Sequence, residues 1–189
     1  MNKNNLIYVL FYKPYMVLSQ FTSEEGKKTL KDFIDIPNIY SVGRLDYDSE
    51  GLLILTNDNK LKNKLTDPKF ESEKTYWVQV EGIPTEEAID KLKKGVIIQD
   101  YKTKSAKVRK LEEHEVNFPE RNPPIRFRKN IPTSWLEITI IEGKNRQVRK
   151  MTASVGYPTL RLIRVKIKNL LINSLKEGEY RYFNPRELN

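Results

Sequence analysis

Apolar positions along this chain alternate with polar ones more often than they recur every three or four residues, a pattern that favours strands over helices. Leu6 to Tyr12 is rich in β-formers and stops before Pro14, so it reads as a first strand. Leu52-Leu53-Ile54-Leu55 is the most apolar tetrapeptide; it suits a strand buried on both faces, although four such residues alone also fit a helix. Lys74 to Glu81 puts Tyr76, Val78 and Val80 on one face, and Trp135 to Ile141 sets Leu136, Ile138 and Ile140 against Trp135, Glu137 and Thr139. In Arg164 to Lys168, alternation places Val165 and Ile167 on one face and Arg164, Lys166 and Lys168 on the other. Val96 to Ile98, Ser105 to Leu111 and Tyr180 to Phe183 complete the strands.

Helical spacing is confined to four stretches. Leu30, Phe33 and Ile34 predict a helix closed by Pro37. Asp58 caps a short helix carrying Leu61 and Leu65, which ends at Asp67-Pro68. Thr85 caps another with Ala88, Ile89 and Leu92 as its apolar stripe and Gly95 as its end. From Asn145 to Val155, Val148, Met151 and Val155 share one face and Arg146, Arg149 and Lys150 the opposite one, with Gly156 as the stop. Asn117 to Thr133 carries Pro119, Pro123, Pro124 and Pro132 among Arg121, Arg126, Arg128 and Lys129, which predicts an irregular basic loop. Strands and helices in mixed order give an α+β fold with a largely antiparallel central sheet and flanking helices.

Charge adds a partner to this picture. The 189 residues carry a formal charge of +9 with a pI near 9.5, which favours a polyanion, nucleic acid before membrane. No cysteine is present, which excludes disulfides and thiol chemistry, and His114 is the single histidine, lying in the charged run Leu111 to Glu115. A multi-histidine metal site is therefore impossible. No apolar run is long enough to span a bilayer, and the N-terminus lacks a cleavage pattern, so a cytoplasmic location is the default expectation.

The densest chemistry lies in Ser41 to Asp58. Arg44, Asp46, Asp48 and Glu50 sit between Gly43 and Gly51, directly before the buried tetrapeptide. A polar loop held by a buried strand is a common way to position reactive groups, and a solvated hairpin turn has the same appearance.

With these residues in view, the chain resembles the family of A-type pseudouridine synthases of the small ribosomal subunit. Gly43-Arg-Leu-Asp46 followed by Gly51-Leu-Leu-Ile-Leu-Thr-Asn-Asp58 is similar to the signature around that family's catalytic aspartate. Lys13-Pro14, Lys74-Thr-Tyr76, Glu142 to Met151 and Leu162-Ile-Arg164-Val165 match further elements in the family's order. Residues 124–135 and 158–164 look most like the members that act on large-subunit ribosomal RNA. Two positions depart: the usual threonine of the signature is Ser49, and the glycine common after the late Arg-Val-x-Ile is Lys168.

The resemblance implies a two-lobed catalytic domain spanning 1–189, acting as a monomer on ribosomal RNA and needing no metal or organic cofactor; the S4-type RNA-binding domain many relatives carry is not expected, because the matching elements begin near residue 7. It implies an isomerase that extrudes a uridine, cleaves its N1–C1′ bond and rejoins the base through C5. Asp46 would be the essential carboxylate, as nucleophile or base, with Arg164 as its cationic partner. Tyr76 would stack on the uracil, Val165 would pack on its other side, and Arg44 would fill the gap in the RNA. Two rivals stand beside this reading: a glycoside hydrolase pairing Asp46 with Asp48 or Glu50, and a non-catalytic RNA-binding or ribosome-assembly module.

Overall fold

The computed structural model describes residues 6–126, 128–173 and 175–189. The chain divides into two compact units, Met1–Ser72 with Arg164–Asn189, and Glu73–Ile163. Both are mixed α and β, as the hydrophobic pattern predicts.

In the first unit the Tyr8–Lys13 strand pairs antiparallel with Glu50–Thr56 on one side and with Tyr180–Tyr182 on the other. Every residue of Glu50–Thr56 is buried, so the four-residue apolar run is a strand covered on both faces. Val9, Phe11, Leu53 and Leu55 pack with Leu30, Ile34 and Ile39 in one cluster. The helix expected around Leu30 shrinks to a single 3-10 turn, Leu30–Asp32. Thr29 and Asp32 satisfy each other's backbone N–H groups within that turn, while Leu30 and Ile34 still reach the core. Helix α1 (Asn59–Thr66) starts where Asp58 accepts from the Lys60 and Leu61 N–H groups at 2.9 and 3.1 Å. The Tyr8 hydroxyl donates to the same carboxylate at 2.9 Å, tying the cap to the first strand.

In the second unit the Thr133–Ile140 strand lies antiparallel between Lys74–Glu81 and Lys107–Leu111. Tyr76, Val78, Val80, Leu136, Ile138 and Ile140 are buried, as alternation requires. Helix α2 (Glu86–Lys94) buries Ala88, Ile89 and Leu92 and ends at Gly95. A side chain at Gly95 would run into the Thr103 backbone, and its φ of 85° suits glycine alone. Helix α3 (Gln147–Ser154) buries Val148 and Met151, but also Gln147 and Thr152. No helix or strand occurs among the described residues between Asn117 and Pro132, in keeping with the prolines; Phe127 lies outside the described residues. The Thr159–Ile167 strand begins in this unit and ends in the first. Among the described residues no helix is long and apolar enough to cross a membrane.

Candidate active site

The loop between Val42 and Glu50 is held by hydrogen bonds that the sequence pattern does not reveal. The Val42 N–H donates to the Ile54 carbonyl at 2.8 Å, and the Ser49 N–H closes a turn onto the Asp46 carbonyl at 3.0 Å. The buried Ser19 hydroxyl donates to the Leu45 carbonyl at 2.8 Å and accepts from the Leu45 N–H at 3.1 Å. Both polar groups of the residue preceding Asp46 are thereby fixed by one side chain. The Ser41 hydroxyl in turn donates to the Ser19 carbonyl, at 3.2 Å. Asp46 itself is half-buried and Arg44 is exposed.

Beneath this loop lies Lys13, fully buried, whose ammonium donates to the Pro14 and Val17 carbonyls at 2.8 and 2.7 Å. Burial pushes its pKa down to about 7; Glu50, Asp48 and Asp46 act in the opposite sense, while Arg164 adds to the depression. Lys13 thus lies within electrostatic reach of all three acids and of Arg164. Glu50 is only 1% exposed, so this end of the charged loop is buried and not a solvated turn.

Arg164 is 5% exposed, so the side of the strand it shares with Lys166 and Lys168 is not uniformly open to solvent. The strand is buried from Arg161 to Val165, so alternation there does not separate a wet face from a dry one. The Arg164 Nε donates to the Leu52 carbonyl at 2.7 Å, and its buried Nη2 has no hydrogen-bond partner among the described residues. Gly51 makes this approach possible: with φ at 108°, a Cβ there would lie 2.6 Å from the Arg164 nitrogen and closer still to its carbonyl oxygen. Val165 follows, 7% exposed.

Of the residues expected in the site, the first unit holds Arg44, Asp46, Arg164 and Val165. Tyr76 belongs to the second unit, 8% exposed and opposite Ile138 in the sheet. In the same unit the Glu142 to Met151 stretch is organised by a buried carboxylate. Glu142 accepts from the Tyr101 hydroxyl, the Lys104 N–H and the Gln147 amide, and Gln147 Oε1 accepts from the Lys144 N–H at 3.0 Å. The cationic face expected on α3 is smaller than its spacing suggests. Arg146 precedes the helix in a left-handed conformation, with φ at 51°, and only Arg149 and Lys150, both half-buried, lie on the helix itself. Among the described residues no three His, Asp or Glu side chains converge as metal ligands.

Sequence reasoning matched Lys13 only as part of a family element and missed its burial, along with Ser19 and the burial of Glu50. Lys13 carried one signal, a lysine ending a strand of otherwise buried residues; Ser19, an isolated hydroxyl in a polar loop, carried none.

A half-buried carboxylate on a hydrogen-bonded turn, within electrostatic reach of a buried lysine that also senses a buried arginine, marks the class: an α+β protein with a charged turn before a buried strand and a net positive charge suited to a polyanion. Comparison with known proteins narrows it. The pattern of the RNA pseudouridylate synthase family matches residues 7–154. Ribosomal large subunit pseudouridine synthase E of Vibrio parahaemolyticus is 54% identical over 173 residues, 92% of this chain and 72% of that protein. The protein of the same name from Xanthomonas campestris is 52% identical over 180 residues, 94% and 96% of the two chains. Among solved structures, a crystal structure of a pseudouridylate synthase superposes with a TM-score of 0.80 at 29% identity, covering 97% of this chain and 73% of that one. The chain belongs to the RNA pseudouridylate synthase family and is an isomerase.

Proposed function

We propose that this chain isomerises a uridine of large-subunit ribosomal RNA to pseudouridine, as an enzyme of the E kind, with Asp46 as its essential carboxylate. The observation that carries the reading is the high identity to large-subunit enzymes named E along nearly the whole chain. A net charge of +9 supports a phosphate-rich partner, and an RNA of the ribosome supports a cytoplasmic site of action. The family match runs through both units, which supports treating them as one catalytic domain.

In this reaction the N1–C1′ bond breaks, the uracil turns, and C5 bonds to C1′. N1 takes up a proton, C5 loses one, and mass is unchanged. Asp46 acts on the sugar as nucleophile or base. The Ser19 clamp on Leu45 supports a pre-organised carboxylate, a role in which small displacements are costly. Arg164, with an unsatisfied buried Nη2, offers a donor to the Asp46 carboxylate or to the extruded nucleotide. Tyr76 and Val165 pack on the uracil, and Arg44, exposed and without a side-chain partner among the described residues, occupies the space the base leaves.

The test is a pseudouridine map of large-subunit RNA from cells with and without the gene. One position should lose its pseudouridine and regain it from a plasmid copy, but not from one encoding Asp46→Asn. An intact map in the deletion strain would remove the assignment.

A further inference from the structure

Apart from the residues of the acid cluster, the first unit contains a cavity of about 190 Å³. It is bounded by α1, the turn after the Thr159–Ile167 strand and the 3-10 turn Pro185–Leu188. Leu61, Leu65 and Leu188 supply its apolar lining, the last two being 3% exposed each. Lys64, Lys168 and Arg186 bring three cations to it, Pro185 and Asn189 complete the lining, and no acidic side chain lines it among the described residues. Many of the chain's other surface cations are neutralised in place: Lys69, Lys107, Arg109, Lys110, Arg128 and Arg181 each hold a carboxylate. The side chains of Lys64, Lys168 and Arg186 hold none among the described residues.

Lys168 adds a second, independent observation. It occupies the first position of the two-residue turn between Ile167 and Leu170, with φ at 50°. Glycine is the default residue for a left-handed position in such a turn. A lysine here gives up backbone comfort and places an ammonium at the cavity.

We infer that this cavity is a second RNA subsite, in which Lys64, Lys168 and Arg186 take one backbone phosphate while Leu61, Leu65 and Leu188 pack against the attached ribose. The size bounds the ligand. About 190 Å³ is room for roughly six waters, and it falls below the roughly 300–1,000 Å³ of pockets that enclose drug-sized molecules. One sugar-phosphate unit fits that volume, whereas a free dinucleotide cofactor does not. Neutralising one phosphate through side-chain cations is a sequence-independent contact that adds to affinity and register, not to the chemical step.

The inference rests on the RNA reading above, and its test separates the two. Binding of a large-subunit RNA fragment and its conversion are measured for the wild type, for Lys64→Gln/Lys168→Gln/Arg186→Gln, and for Lys168→Gly. The last relieves the left-handed strain and so preserves the fold. The triple variant should bind about tenfold more weakly, with a plot of log affinity against log salt shallower by about 1. Lys168→Gly should bind about threefold more weakly, and KM should rise with Kd while kcat at saturating RNA is kept. Unchanged affinity and salt slope in either folded variant overturns the subsite even if conversion is robust. Inorganic phosphate titrated into the wild type supplies the remaining arm: saturation of the cavity by phosphate, with RNA affinity indifferent to the substitutions, makes it a free-anion site and likewise overturns the subsite. A wild type that converts no uridine is the failure of the functional reading instead.

Discussion

Replacing Lys13 by methionine removes a buried ammonium while keeping most of the side chain's shape. In the folded chain burial pushes the Lys13 pKa down to about 7, below the ordinary lysine value of 10.5. Between those two values the unfolded chain binds a proton that the folded chain does not, so folding grows more favourable as pH rises through the window. Below the folded value both forms are protonated and the dependence levels off. Each pH unit is worth at most about 1.4 kcal/mol, so wild-type stability gains roughly 2 kcal/mol from this group between about pH 7 and about pH 9. The Lys13→Met variant lacks that gain. It leaves the Pro14 and Val17 carbonyls without their donor, a cost of about 1–3 kcal/mol that does not vary with pH. Urea denaturation of both proteins across this range gives the comparison, since other groups titrate alike in the two and cancel in the difference. The difference should move by about 2 kcal/mol in favour of the wild type as pH rises. Parallel profiles would refute the reasoning and show that Lys13 titrates normally in the folded protein.

Three further perturbations probe the site. Ser19→Ala strips the clamp from Leu45 and should lower kcat about tenfold or more with little change in KM, whereas Ser19→Thr restores the hydroxyl and most of the activity; single-turnover kinetics on an RNA fragment distinguish these outcomes. Gly51→Ala forces a Cβ against the Arg164 backbone at a φ of 108° and should cost about 2–5 kcal/mol by chemical denaturation, with activity reduced in the fraction that folds. Tyr76→Leu keeps the strand apolar and removes the aromatic face; a stacking contact worth about 1–3 kcal/mol predicts a loss of roughly 5–150-fold in kcat/KM, with thermal stability changed little.

The strands were legible because their pattern is a direct consequence of burying one face. Tyr76, Val78 and Val80 alternate with the partly exposed Trp77, Gln79 and Glu81, and Leu52 to Leu55 is unbroken because both its faces are covered. The caps at Asp58 and Thr85 were legible for the same kind of reason, each supplying an acceptor to backbone N–H groups that have no other. Burial of charge was not legible. By type alone Lys13, Glu50 and Arg164 belong on a surface, and only the family resemblance pointed to Arg164 as a cationic partner; their burial depends on partners far away in the chain, the Leu52 carbonyl for Arg164 and the acids beyond residue 45 for Lys13. The basic face of α3 was overread because helical spacing assumes that the helix reaches Arg146, whereas the left-handed backbone there starts it one residue later. The helix expected at Leu30 to Ile34 failed because apolar spacing over five residues is satisfied equally by one capped turn.

Everything proposed about chemistry converges on one carboxylate, so the most direct measurement is a comparison of wild type with Asp46→Asn. Purified protein is mixed with a large-subunit RNA fragment, and both the dissociation constant and pseudouridine formation are recorded. The variant should bind within about twofold of the wild type, because one carboxylate contributes little to a phosphate-dominated affinity, and should form no detectable pseudouridine. Pseudouridine formed by the Asp46→Asn variant at a rate near that of the wild type would contradict Asp46 as the essential carboxylate.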